Sequence, residues 1–153
     1  MINSAIDVVI VGGGAAGMMA GLYSSRAGFD TVVLERMMPG GQVVNADRIE
    51  NFPGFPDGIS GAELGPLLQE QATKFGLKVE LAEVASLEPN DSYWTVVTHE
   101  SEFAAKTVII ASGSTLRKLG VSNEESLHGA GVSYCATCDG VFFVNQVVGV
   151  VGG

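Results

Sequence analysis

The feature that most restricts this chain is a glycine run, Gly12-Gly13-Gly14-Ala15-Ala16-Gly17, placed directly after an apolar, largely β-branched segment, Ile6–Val11. A strand apolar on both faces must be covered on both, and a helix that follows it directly must cross over to a parallel neighbour. The next residues supply both parts. Residues 15–27 are rich in Ala, Met and Leu and lack proline, which predicts a helix with Gly28 at its C-terminal end. Residues 31–34 form a short apolar run closing on Glu35, a second parallel strand and hence a βαβ unit. In that setting Gly12 permits the tight turn, and Gly14 lets backbone N–H groups approach a pyrophosphate. Gly17 lets the helix pack on the strand with its positive end aimed at the phosphates. Glu35 stands where a carboxylate accepts both ribose hydroxyls and disfavours a 2′-phosphate. A purely structural strand–helix turn would need the glycines but not the acid.

Composition narrows the function classes. With 46% apolar residues, the 153-residue chain can bury a core and is not a disordered tail. Lys and Arg total 8 against 17 Asp and Glu, a net charge of −9, so its field repels phosphate backbones and anionic lipid. Nucleic acid and membrane are therefore not expected partners. No stretch approaches the ~20 apolar residues of a membrane helix, and MINSAIDVVIVGGG has neither a positive start nor a cleavage site. A cytoplasmic protein is expected. Glycine, 21 of 153 residues, is about double the usual ~7%, which points to binding loops built from backbone.

Further along, residues 37–55 read as a long loop of the kind that carries function. Ser60-x-x-Glu63 is a capping box, opening a helix whose Leu64, Leu67, Leu68, Ala72 and Phe75 share a face and which stops at Gly76. Pro66 either distorts its first turn or marks where the regular helix begins. Residues 78–87, 93–98 and Phe103 suggest a small antiparallel meander, and residues 107–111 a fully buried strand leading to Ser112-Gly113. The composition then changes, with a boundary expected between Gly113 and Leu119. Ser122-x-x-Glu125 predicts a short helical turn ending near Gly129, followed by a small-residue loop over 131–139. Finally, Val148-Gly-Val-Val-Gly-Gly153 repeats Val8-Val-Ile-Val-Gly-Gly13. The repeat reads as the opening strand of a second nucleotide-binding unit, so the chain is expected to be the N-terminal piece of a longer protein. Residues 1–115 would belong to the first unit and 116–153 to the start of the second.

The two cysteines lie in Cys135-Ala-Thr-Cys138-Asp139. A pair so spaced can close a small disulfide loop, its reactivity set by a lowered thiol pKa, and Asp139 beside it can protonate a departing thiolate. Two rival readings are a zinc half-site, for which a second cysteine pair is missing and only His99 and His128 remain, and a pair of inert buried thiols. No metal site is expected.

Together, Val11-Gly-Gly-Gly-Ala-Ala-Gly17, Gly40-Gly-Gln42, Ile49-Glu-Asn-Phe-Pro-Gly54, Ala111-Ser-Gly113 and Gly131-Val-Ser-Tyr-Cys-Ala-Thr-Cys-Asp-Gly140, in this order, resemble the low-molecular-weight thioredoxin reductases. The resemblance implies a Rossmann-like α/β FAD-binding domain, with parallel sheet and antiparallel meander, followed by the start of an NADPH-binding domain that carries the redox disulfide. It implies that Gly12, Gly14, Ala15, Ala16 and Gly17 hold the FAD pyrophosphate and Glu35 the ribose. Gly41, Gln42 and Asn51 would line the flavin side, Val84 would meet the adenine through its backbone, and Gly113 would close the site. Cys138 would face the flavin and Cys135 would attack the disulfide of thioredoxin or a similar small dithiol protein, with Asp139 as proton donor. The NADPH site would lie mostly beyond residue 153, the whole protein would be a homodimer, and this piece alone would not turn over.

Three residues depart from the family pattern. Ala15 replaces a proline, Ser112 replaces a threonine, and Pro66 is unusual in its helix. Readings that share these residues are a ferredoxin-linked thioredoxin reductase, the reductase component of a peroxide-detoxifying system, and a non-catalytic flavin-binding module.

Overall fold

The computed structural model describes residues 5–152, except the side chains of Thr137 and Cys138. The chain divides into two compact units, Met1–Gly113 and Ser114–Gly153.

In the first unit, β1 (Ile6–Val11), α1 (Ala15–Arg26) and β2 (Thr31–Glu35) form the expected βαβ, with β1 and β2 parallel and Val9 opposite Val32. Side chains alternate across a strand, so Val8, Ile10 and Val33 fall in one apolar cluster while Val9, Val32 and Leu34 fall in another. The first cluster is closed by α1 and by α2 (Gly61–Thr73), through Met18, Leu22, Leu64, Leu68 and Ala72. The second is closed by the antiparallel ribbon, through Val96, Ala105 and the flanking Leu87 and Phe103. Removing such a side chain from water contributes about 1.5–3 kcal/mol each, which is why so apolar a strand requires cover on both sides.

The six strands hydrogen-bond in the order β3-β2-β1-β6-β5-β4. The fold class is as expected: a mixed α/β unit with a parallel sheet and an antiparallel part. Two boundaries differ. The segment expected as one strand over 78–87 splits into β3 (Lys78–Leu81), parallel to β2, and β4 (Val84–Pro89), antiparallel to β5 (Trp94–Thr98). The Ala82 N–H donates to the Glu35 carbonyl at 2.9 Å and ends the parallel ladder, after which the chain leaves to join the ribbon. Conversely, Phe103 and residues 107–110 belong to a single strand, β6 (Glu102–Ile110), and the run expected to be fully buried is not: Val108 and Ile109 are half-buried while Thr107 and Ile110 are exposed. Its first part pairs antiparallel with β5 and its last part pairs parallel with β1, Ala105 serving both. Lys106 breaks the apolar pattern in sequence, but its ammonium reaches out to Asp7 Oδ1 at 2.7 Å while the backbone continues the ladder.

The capping box of α2 forms as read. The Glu63 N–H donates to Ser60 Oγ at 3.2 Å, and the Ser60 N–H donates to Glu63 Oε2 at 3.4 Å. The helix runs through Pro66 rather than starting there. The "long loop" is more ordered than expected: residues Gly41–Asn45 make a 3-10 turn, and Ile49 and Ile59 exchange backbone hydrogen bonds at 2.8 and 3.0 Å.

The second unit holds little regular structure. Residues 122–127 form successive turns, not the helical turn expected, because Asn123 takes a left-handed φ of 65° and Glu124 folds back on the preceding backbone. A four-residue helical turn, α3 (Ala136–Asp139), follows Cys135, and a 3-10 turn spans Gly140–Phe143. The strand expected at the repeat does not form over residues 147–152, and Gly153 lies outside the described residues. Val147, Val148, Val150 and Val151 are exposed, and an extended segment becomes a strand only when a neighbour completes its ladder.

Candidate functional site

In the first unit the candidate site is built at the end of β1. Gly12 has φ +101°, and a Cβ there would lie 2.4 Å from the Ala111 carbonyl oxygen, at the end of β6. A Cβ on Gly17 would lie 1.9 Å from the Gly12 oxygen, so α1 starts directly against the turn. Both glycines are therefore required by the fold itself. Gly14 is different. It is the N-cap of α1 with an ordinary φ of −71°, and a Cβ there would meet only Gly41 Cα at 3.9 Å. Nothing within the chain demands a glycine at this point. Among the described residues no side chain caps α1 and its first turn holds no acid, so its N-terminal amides, those of Ala15, Ala16 and Gly17, border the open side of Gly14.

Glu35 closes β2 and is 8% exposed. Its Oε2 accepts the Gly13 N–H at 2.7 Å and its Oε1 the Met37 N–H at 3.0 Å. The carboxylate thus staples the glycine turn and the exit of β2, a role the sequence reading missed. A carboxylate offers about four lone-pair sites, so acceptor capacity remains for two hydroxyls. Gly13 also went unread: a Cβ there would meet Glu35 Cβ at 3.0 Å and Met18 Cε at 3.1 Å. The signal was present as a third consecutive glycine.

The Gly40 N–H donates to the Gly13 carbonyl at 2.7 Å, which brings the Gly40-Gly41-Gln42 segment to the turn. It is held there by α2, whose Gly61 and Gly65 are as indispensable as the fingerprint glycines. A Cβ on Gly61 would lie 1.8 Å from the Val43 oxygen, and one on Gly65 would lie 2.7 Å from Val44 Cγ1. Two glycines four positions apart on one helix face were the available signal. Gly41 faces Gly14, while Gln42 is exposed. Asn51 stands on an exposed turn, and Val84 opens β4 against the ribbon-side cluster. Gly113 has φ +69° at the close of the unit. The structure therefore gathers Gly12, Gly14, Ala15, Ala16, Gly17, Glu35 and Gly41 around one turn. Among the described residues, no hydrogen bond brings Asn51 or Val84 to it.

In the second unit Cys135 is disulfide-bonded, and its half-buried side chain directly precedes α3. The Asp139 N–H donates to the Cys135 carbonyl at 3.0 Å, so Asp139 sits one helical turn beyond that cysteine. Ser133 Oγ accepts the Cys135 N–H at 3.0 Å and donates to the Cys135 carbonyl at 3.2 Å. The predicted partner, Cys138, has its backbone in α3, but its side chain lies outside the described residues. Glu124 is 5% exposed and binds the backbone N–H groups of Leu119 and Gly120 at 2.9 and 2.7 Å. It also accepts the Tyr134 hydroxyl. These hydrogen bonds, that from Tyr134 foremost, hold the Glu124 carboxyl below its ordinary range, while the same bond raises the Tyr134 hydroxyl above its own. Sequence reasoning gives neither residue a role, since it takes Ser122-x-x-Glu125 as the opening of a short helical turn. Among the described residues no group of three or more His, Cys, Asp or Glu could hold a metal ion. Nor, among those residues, is any helix long and apolar enough to cross a membrane.

A glycine-turn α/β unit joined in one chain to a disulfide-bonded cysteine at the start of a helical turn defines a class. The chain belongs to the pyridine nucleotide-disulphide oxidoreductase family, whose model matches residues 6–153. Within it, the chain is 46% identical over 147 residues to a thioredoxin reductase of Listeria monocytogenes, covering 96% of this chain and 46% of that protein. It spans about half the length of the curated relatives it matches. The crystal structure of Lactococcus lactis thioredoxin reductase is similar with a TM-score of 0.78 and 44% identity, over 90% of this chain and 45% of that one. A ferredoxin-flavin thioredoxin reductase from Clostridium acetobutylicum is also similar, with a TM-score of 0.69 and 27% identity over 92% of this chain and 48% of that one.

Proposed function

We propose that this chain is the flavin-binding and dithiol-bearing part of a disulfide reductase that passes electrons from NADPH through FAD and the Cys135/Cys138 pair to thioredoxin or a similar small dithiol protein. The observation that carries the reading is the pairing, in one chain, of an uncapped helix end at an open glycine with a disulfide-bonded Cys135 in Cys-x-x-Cys-Asp. The residues fit the cofactor. The space beside Gly14, which a ligand's pyrophosphate would take, is not used by the fold, and Glu35 keeps lone pairs for the ribose hydroxyls. Gly12, Gly14, Ala15, Ala16, Gly17 and Glu35 would hold the dinucleotide, with Gly41, Gln42, Asn51, Val84 and Gly113 completing its site. When bound, FAD would supply a two-electron store between a nicotinamide donor and the cysteine pair.

The chain's own chemistry is thiol–disulfide exchange. The Cys135 thiolate attacks one sulfur of the target disulfide, forming a mixed disulfide and expelling a thiolate that Asp139 protonates. Cys138 then attacks Cys135 Sγ, re-forming the intramolecular disulfide and releasing the target's second thiol. Two electrons and two protons leave for the target. Against a thioredoxin couple of about −270 mV the pair need only be of similar potential, since 30 mV corresponds to about 1.4 kcal/mol.

The test uses the full-length protein, which is proposed to be a cytoplasmic homodimer. Its flavin absorbance should bleach with NADPH and recover with oxidised thioredoxin, and recovery should vanish when Cys135 and Cys138 are both serine. Recovery that persists in the double variant refutes the reading. The likeness to the ferredoxin-flavin structure favours a second reading of the donor, under which reduced ferredoxin bleaches the flavin and NADPH does not. The 153-residue chain alone is expected to retain FAD weakly and not to turn over.

A further inference from the structure

The described residues include two buried carboxylates, Glu35 and Glu124. The first belongs to the glycine turn, whereas the second has no part in the chemistry proposed above, yet it ties the backbone at the start of the second unit to the residue just before Cys135. Its oxygens hold the Leu119 and Gly120 N–H groups at 2.9 and 2.7 Å and accept the hydroxyl of Tyr134, the residue immediately before the cysteine. Two further links tie the same approach down. The Val132 N–H donates to the Leu127 carbonyl at 2.9 Å, and the His128 ring lies 5.3 Å from the Tyr134 ring. The backbone leading into the disulfide is thus anchored by a charged acceptor, the stronger kind of hydrogen bond, on a unit with little regular structure to hold it otherwise.

An anchor of this kind has a chemical consequence. A disulfide closes only within a narrow range of Cα and Cβ separations, and a chain already confined near that range gives up less freedom on closing than one that wanders. We propose that Glu124 and Tyr134 are positioning residues for Cys135: by fixing its backbone on the N-terminal side they favour the disulfide over the dithiol and set how readily the pair is reduced. The proposal rests on reading Cys135 as one of the redox pair, and it names the residues that tune that pair. Loss of the Tyr134 hydroxyl frees the reduced loop and leaves the ring packed on His128, so the equilibrium moves toward the dithiol.

The experiment equilibrates the full chain with graded ratios of reduced to oxidised dithiothreitol and counts free thiols by alkylation and mass. In each turnover the Cys135 disulfide becomes two thiols while dithiothreitol closes to its cyclic disulfide, so electrons and protons balance. Tyr134→Phe should shift the equilibrium about three- to tenfold toward the dithiol, a fraction of one charge-assisted hydrogen bond because the bond is present in both redox states. Glu124→Gln, which keeps an acceptor oxygen, should shift it less than Glu124→Ala. Lys118→Ala, which removes an exposed ion pair with Glu125 and only a minor, solvent-screened attraction to Glu124, should shift it far less. An equilibrium within twofold of wild type in both Tyr134→Phe and Glu124→Gln overturns the proposal, as does an equal shift in Lys118→Ala. No flavin, nucleotide or protein substrate is present. A failed anchor therefore leaves the reductase reading intact, and a failed reductase assay leaves the anchor measurable.

Discussion

At the scale of single residues, the glycines of the β1–α1 turn separate into those the fold needs and one it does not. Gly17→Ala would drive a methyl to 1.9 Å from the Gly12 oxygen, and overpacking of this kind costs about 1–3 kcal/mol or more. Gly14→Ala meets nothing closer than 3.9 Å and keeps an ordinary φ, so its effect on stability should stay within about 1 kcal/mol. Its methyl would, however, enter the space proposed above for a pyrophosphate. Urea denaturation should therefore distinguish Gly17→Ala from wild type and leave Gly14→Ala nearly unmoved. Flavin titration of the full-length protein should show at least a tenfold loss for Gly14→Ala. A Gly14→Ala protein with undiminished flavin affinity would move the dinucleotide elsewhere. The fingerprint was legible because sterics in a strand–helix turn leave glycine few substitutes. Glu35 was legible as an acid at a strand end, but its two backbone partners, Gly13 and Met37, depend on where the chain returns after β2 and leave no trace in local sequence.

Among the elements, β1, α1, β2 and α2 were readable because each carries its own period and its own stop, as in the Ser60/Glu63 capping box and the glycines at 28 and 76. The division into β3 and β4 and the continuity of β6 were not readable. A strand's limits are set by which neighbour it pairs with, and the switch at Ala82 and the double pairing of Ala105 are tertiary facts. Helix α2 offers a sharper test, because Pro66 lies inside it and cannot donate to the carbonyl four residues earlier. Pro66→Ala restores that bond, against a smaller gain in unfolded-chain entropy, and should stabilise the first unit by about 1–2 kcal/mol. Ser60→Ala removes the cap and should destabilise it by about 1 kcal/mol. Chemical denaturation followed through Trp94, the single tryptophan, reads both. A Pro66→Ala protein less stable than wild type would mean that the proline's ring packing outweighs the missing bond.

For the molecule as a whole, the two units answer to pH through different groups. In the first, the Lys106 ammonium and the Asp30 N–H hold the Asp7 carboxyl below its ordinary range, tying β6 and the entry of β2 to the start of β1. In the second, Tyr134 and the backbone amides do the same for Glu124. A carboxyl whose folded pKa is depressed contributes stability above its unfolded value and loses it as pH falls through the folded one. The protection of the Leu119 and Gly120 amides, measured against their intrinsic exchange rates at each pH, should accordingly fall as the pH is lowered from about 4.3. The raised Tyr134 hydroxyl works in the opposite sense, contributing below the ordinary tyrosine range and failing as alkali removes its proton. Protection that is flat across the acid range would dissociate Glu124 from these amides.

The strand order also governs how the protein is made. β1 has β2 on one side, available almost at once, but on the other it requires β6, and the pair Asp7 and Lys106 that marks this junction is separated by 99 positions. At roughly 5–20 residues per second, a ribosome needs roughly 5–20 s to deliver that second neighbour. Throughout this interval the most apolar strand of the protein has one bare edge. Translation speed between Gly12 and Ile110, and any chaperone that shields an unpaired strand, therefore bear directly on how much of the polypeptide escapes aggregation.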